Sequence, residues 1–133
     1  ILLQQVFARI PLRQVLLASF LAAALRWLLI GHYPDSLAVL ILAQALHAAT
    51  FGSFHAAAMQ TVHGFFVGRH QYRGQAIYGN ASFGLGGALG SFYSGYSWEI
   101  LGPAMTFNIA ALFALAAFGV AFVMFKGTLK ART

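Results

Sequence analysis

The sequence predicts an all-α membrane protein built on four transmembrane helices. Three observations carry that reading. First, about 60% of the 133 residues are hydrophobic and only 8% are charged, whereas an average soluble domain carries roughly 25% charged residues. Ten charged side chains cannot cover a globular surface, and a composition this apolar also excludes a disordered chain. Second, the charges stand as beads between long uncharged runs. Asp35 and Arg69 enclose 33 uncharged residues, Arg73 and Glu99 enclose 25, and Glu99 and Lys126 enclose 26. A membrane-crossing helix needs about 20 mainly apolar residues. Third, there is no Cys, which removes a disulfide scaffold, a thiolate metal site and a thiol nucleophile. The formal charge of +6 is not gathered into a stripe, so the expected partner is a lipid bilayer and not nucleic acid.

The first span is placed near Leu12–Ile30. Arg13 and Arg26 enclose only 12 uncharged residues, so this span exists only if Arg26 lies inside it. Ahead of it, Ile1–Phe7 reads as the severed end of an earlier helix. With Ile and not Met in the first position, a fragment of a longer chain is expected. The second span runs near Leu37–Phe66. At about 1.5 Å per residue it reaches roughly 45 Å, against a hydrocarbon core of about 30 Å. It must tilt or project from the membrane. The third span, near Gln75–Ser97, is rich in glycine. Gly84, Gly86, Gly87 and Gly90 include a Gly-x-x-x-Gly pair, which predicts close helix packing, because lipid supplies no hydrophobic drive between helices. The stretch lacks the Gly-Lys-Ser/Thr ending of a phosphate-binding loop. The fourth span runs near Ala104–Phe125.

Charge sorts the connections. Arg9 and Arg13 precede the first span, Arg69 and Arg73 lie in the Gly68–Gly74 connection, and Lys126, Lys130 and Arg132 fill the tail. These three places fall on one side of a four-span chain. The other side holds Gly31–Ser36 and Trp98–Pro103, with Asp35 and Glu99 and no Lys or Arg. Short loops rich in Lys and Arg stay cytoplasmic, so both ends of the chain are expected in the cytoplasm. Trp27, Tyr33, Tyr96 and Trp98 would form an outer aromatic belt.

Polar side chains within a span are costly and are functional candidates by default. Arg26 is the first, with an interface anchor beside Trp27 as the alternative. On the second span, Gln44, His47, Phe51, His55 and Met59 share one helix face about 120° wide. That face would line a bundle interior or a water-filled cavity, with His47 near the midplane, where transporters place their sites. Hydrogen bonding to neighbouring helices is the alternative. A metal site is not expected: His47, His55 and His63 are spaced eight apart, about 12 Å per step, and no carboxylate shares their helix. Triad chemistry is equally unsupported, since Asp35 and Glu99 both fall in outer loops. Nothing in the pattern points to a cofactor.

Several stretches resemble a known family. Arg26-Trp27-Leu28-Leu29-Ile30, then Ala43-Gln44-Ala45-Leu46-His47-Ala48-Ala49-Thr50-Phe51-Gly52, and Phe54-His55-Ala56-Ala57 are similar to the phenylpropionate-permease-like branch of the major facilitator superfamily. So is Ser82-Phe83-Gly84-Leu85-Gly86-Gly87-Ala88-Leu89-Gly90-Ser91, followed by Ser97-Trp98-Glu99. The resemblance implies helices nine to twelve of a twelve-helix fold. Residues 1–133 would then be the C-terminal part of a single transporter domain, within its C-terminal six-helix half.

The branch is related to proton symporters of the lactose-permease type. These carry an Arg in helix nine and a Leu-His pair in helix ten, matched here by Arg26 and Leu46-His47. Their coupling Glu, three residues after the His, is replaced by Thr50, so the resemblance carries Arg26 and His47 but no carboxylate from this helix. It also implies that helix ten lines the central cavity. The implied function is secondary active transport in a bacterial inner membrane: proton-coupled symport of a small organic solute, an aromatic acid such as a phenylpropionate being the example. The helices missing upstream of Ile1 would complete the cavity. The competing reading is a four-helix membrane scaffold or subunit without a transport path.

Overall fold

A computed structural model describes residues 10–125. Arg9, Lys126, Lys130 and Arg132, which helped to set the expected orientation, and the Ile1–Phe7 segment lie outside the described residues. Every regular element in the described residues is helical. Three stretches are long and apolar enough to cross a membrane: Leu12–His32, Leu37–Phe65 and Gly68–Met124.

Helix α1 spans Leu12–His32. Pro11 precedes it with φ −56°, an angle already close to helical, and its carbonyl accepts from Gln14 N at 2.8 Å. Proline suits this place because the first N–H groups of a helix have no partner within it. The helix closes with Tyr33 N donating to Leu29 O at 3.0 Å. After a short Pro34-Asp35 turn, the Ser36 side chain accepts from Val39 N and caps α2, Leu37–Phe65. This serine satisfies one of the orphan donors at the helix start.

Gly68, with φ +63°, turns the chain after α2. That left-handed angle is the glycine's reason for being there. A 3₁₀ turn over Gly68–His70 leads directly into α3, Gln71–Gly79. The helix therefore starts four residues before the expected Gln75, and the predicted Gly68–Gly74 connection is helical throughout, first 3₁₀ and then α. A π-helical turn over Asn80–Leu85 joins α3 to α4, Gly86–Met124.

Gly102 breaks α4, with φ +78° and ψ 169°. Pro103 follows it, locking its own φ and contributing no N–H. The sequence reading placed a loop over Trp98–Pro103. In the structure the helix continues up to this one glycine and reverses there, because a single left-handed residue before a proline is enough to turn it. Ser97 and Thr106 face each other across the break, their hydroxyls 3.0 Å apart and buried. Tyr93 meets Phe113 edge-on at 5.8 Å, and Trp98 meets Phe107 at 6.0 Å. The two limbs of α4 thus run antiparallel.

The packed faces are made of small side chains. Ala24, Ala43, Ala57, Ala111 and Ala121 are buried, as are Ser19, Ser97 and Thr106. Short side chains let helix backbones approach, which is how helices associate in lipid. Val15, Leu16 and Ala57 form a core between α1 and α2, with Leu12, Phe54 and Phe125 packed on it. Large side chains such as Leu89, Phe92 and Leu112 point outward at 62–77% exposure.

Within the described residues the closest glycine contacts lie at Gly31 and Gly74. A Cβ on Gly84, Gly87 or Gly90 would meet nothing within 4 Å, and one on Gly86 would meet only Ala81 O of its own segment at 3.4 Å. Within the described residues this stripe packs on no other helix. Gly31 and Gly74 make the close approaches instead. A Cβ on Gly31 would fall 2.8 Å from Phe107 Cβ, and one on Gly74 would fall 2.5 Å from the Phe66 ring.

Candidate functional site

The antiparallel register of α1 and α2 builds the site. Ser19 and Ser53 set it, with their hydroxyls 3.2 Å apart, and so do Phe20 and Phe54, whose rings meet edge-on at 5.4 Å. Both serines also donate back to their own helices, Ser19 to Val15 O at 2.8 Å and Ser53 to Ala49 O at 2.7 Å. Their hydroxyls are therefore satisfied without widening the gap. Moving toward the C-terminus on α1 and toward the N-terminus on α2 brings Arg26 level with His47.

Between the two helices opens a cleft of about 160 Å³, lined by Ser19, Phe20, Ala23, Arg26, His47, Thr50, Phe51 and Phe54. Four residues singled out in the sequence therefore share one cavity: Arg26, His47, Thr50 and Phe51. Gln44 is exposed and Met59 half-buried on the same helix, and neither lines this cleft. His55 sits one turn beyond Phe51, its ring stacked on that phenyl at 6.3 Å and 8°.

Arg26 is half-buried. Its guanidinium carbon lies 3.9 Å over the ring of Trp27, which in turn stacks on Phe107 at 5.7 Å. The indole holds the cation through its π face while the side chain lines the cleft. Arg26 Nε is buried and makes no hydrogen bond. A guanidinium has five N–H donors and no acceptor, so this one can still receive an anion. Thr50 occupies the position after His47 at which the resembling symporters have a carboxylate. Its hydroxyl donates to Leu46 O at 2.7 Å and to His47 O at 3.3 Å, so the proton is committed to the backbone and an oxygen lone pair remains for the cleft.

The sequence reading missed the second wall of rings. Tyr78, at the end of α3, and Phe83, in the π-helical turn, close on α2. Phe83 lies 6.4 Å from Phe51 and 6.0 Å from His55, and Tyr78 lies 6.1 Å from His55 and 6.0 Å from Phe83. Farther along, Gln75 Nε2 donates to His63 Nε2 at 2.6 Å and ties α3 to the end of α2. Here His47 lies against Phe51 at 5.6 Å, and His55 lies among rings.

A half-buried arginine beside a tryptophan thus lies level with a histidine on an antiparallel apolar helix. The chain belongs to the MFS_1 like family, whose model matches residues 1–109, in agreement with the major facilitator resemblance. It is 33% identical over 113 residues to the probable 3-phenylpropionic acid transporter of Escherichia coli (strain K12). That alignment covers 85% of this chain and 29% of the relative, so the chain spans less than a third of the relative's length. No solved structure matches the chain.

Proposed function

We propose that this chain is the C-terminal part of a secondary active transporter of the bacterial inner membrane, carrying a small aromatic carboxylate together with protons. The single observation that carries the proposal is the shared cleft, in which Arg26 from α1 and His47 from α2 face the same apolar cavity. The cation attracts the carboxylate, and the imidazole is the cleft's proton carrier. Thr50 offers an acceptor lone pair, and Phe51 offers an apolar face to the solute. The relative's printed substrate, an aromatic acid, has this chemistry.

In this reading the two limbs of α4 are separate crossings, so the chain contributes four transmembrane helices with both ends cytoplasmic. Asp35 and Glu99 then face outward, and Arg69 and Arg73 face the cytoplasm. The exposed Gly84, Gly86, Gly87 and Gly90 stripe is the face on which helices outside this chain pack during alternating access. Gln44, His55 and Met59 continue the route along α2.

The test is uptake of labelled phenylpropionate into vesicles containing the full-length protein under an imposed pH gradient, inside alkaline. Accumulation that collapses with a protonophore supports proton symport. Accumulation that is indifferent to the protonophore removes the coupling, and no uptake removes the transporter reading.

A further inference from the structure

The Arg26–His47 cleft is elongated, and its two ends differ. Its lining runs from Ser19 to Arg26 on α1 and from His47 to Phe54 on α2. The helices are antiparallel, so Arg26 and His47 stand at one end and Phe20 and Phe54 at the other. Phe20 to Arg26 is six positions and His47 to Phe54 is seven, which sets the ends about 9–10 Å apart along the helices.

The second end is closed by packed side chains. Phe20 and Phe54 meet edge-on, with ring centroids 5.4 Å apart and planes at 61°. Phe54 also packs on the core of Val15, Leu16 and Ala57, and these three are buried. Beside the rings the Ser19 and Ser53 hydroxyls approach to 3.2 Å and hold the two helices together. A side chain pressed on such a core cannot retreat without overpacking it.

A cation opposite an apolar wall fixes both ends of an anion with an apolar tail. Arg26 sets where the carboxylate sits, and the wall sets how far the tail reaches. The cleft measures about 160 Å³, and an apolar cavity of about 150 Å³ takes one benzene molecule. There is room for one ring and a short tether. We infer, resting on the transport reading above, that Phe20 and Phe54 determine specificity for solute length, by limiting the distance between the carboxylate and the far edge of the ring. A longer tether drives the ring into the two phenyl groups.

The experiment measures initial uptake of phenylacetate, 3-phenylpropionate, 4-phenylbutyrate and 5-phenylpentanoate by the full-length protein in vesicles, with uptake by protein-free vesicles subtracted. Wild type is compared with Phe20→Ala, with Phe54→Leu, which keeps an apolar side chain on the core, and with Phe92→Ala, an exposed position outside the cleft. The readout is the ratio of each acid to the next shorter one, which is independent of how much protein inserts. In the wild type one step of the series is expected to drop at least about fourfold, the worth of one methylene group that finds no burial. In Phe20→Ala and Phe54→Leu that drop moves to a longer acid, while the shorter acids are still carried because the serine pair keeps the register. In Phe92→Ala it stays in place. Rates that do not drop with length in the wild type overturn the inference alone. So does a drop at the same acid in wild type, Phe20→Ala and Phe54→Leu, or one that Phe92→Ala also moves. Loss of all four acids in both Phe20→Ala and Phe54→Leu overturns it too, since a wall that only gauges length leaves the short acids transported. Failure of the wild type to take up any of the four overturns the transport reading and this inference with it.

Discussion

Arg26 and His47, on antiparallel helices, line the same cleft between α1 and α2. The register that aligns them is fixed elsewhere, where Ser19 approaches Ser53 and Phe20 approaches Phe54. Anything that shifts those contacts by one residue separates the cation from the imidazole. Ser19→Leu or Ser53→Leu forces the backbones apart and is expected to lower uptake tenfold or more, with the protein still inserted. Ser19→Ala keeps the approach and is expected to stay within about threefold of wild type. Initial uptake rates, normalised to membrane protein, distinguish the two outcomes.

The cation's hold on Trp27 yields a separate expectation. The guanidinium carbon lies 3.9 Å from the centre of the indole ring, and an ammonium group lacks the planar face that packs on an aromatic ring. Arg26→Lys keeps the charge but loses the planar stack, so affinity for the anionic solute is expected to fall by about three- to tenfold. Trp27→Leu is expected to produce a similar loss, because it frees the arginine to swing toward the outer surface. Half-saturating solute concentrations measure both effects.

Among the cleft's lining residues, His47 carries the imidazole to which the proposal assigns the coupled proton. His47→Gln keeps a polar group but cannot carry that proton, so it is expected to accumulate solute no further with an imposed pH gradient than without one. Thr50→Val should keep the wild-type response to the gradient, because the Thr50 proton is already committed to the Leu46 and His47 carbonyls.

Gly31 and Gly74 make a stability prediction. A methyl group on Gly31 would lie 2.8 Å from Phe107 Cβ, an atom next to the backbone that cannot swing aside, and one on Gly74 would lie against the Phe66 ring and Val62. Gly31→Ala and Gly74→Ala are each expected to cost about 1–3 kcal/mol, the usual cost of overpacking. Thermal unfolding of the full-length protein in detergent should show a lower midpoint for both.

Much of this architecture is legible in the sequence. The uncharged runs from Asp35 to Arg69, Arg73 to Glu99 and Glu99 to Lys126, and the stretch from Arg13 to Asp35 broken only by Arg26, mark where long helices can form, because a charge is costly to place in them. The stripe of His47, Phe51 and His55 is readable from the 3.6-residue period, and the structure gathers all three on one side of α2. Tyr78 and Phe83 were not legible as site residues. Tyr78 precedes the π-helical turn at Asn80–Leu85 and Phe83 lies within it, and the extra residue of such a turn shifts the phase of the helical period.

The glycine pattern does not locate the tight contacts within the described residues. Gly84 to Gly90 carries the small-residue pattern, yet it packs on nothing within the described residues. Gly31 and Gly74 carry no pattern and make the tight contacts. Composition marks where a close approach is permitted, and only the tertiary register decides where it occurs. The turn at Gly102 is similar: a glycine before a proline is visible, but that one residue suffices to reverse the helix is set by Ser97, Thr106, Trp98 and Phe107 meeting across it.

The most direct measurement of the central claim, that Arg26 and His47 form the solute and proton site, is uptake of an aryl carboxylate by the full-length protein carrying Arg26→Ala or His47→Ala. Levels in the membrane are matched, and initial rates are taken with and without an imposed pH gradient. The account predicts at least a tenfold loss of rate in each variant, with the remaining His47→Ala activity indifferent to the gradient. Wild-type rates and a wild-type response to the gradient in both variants would contradict it.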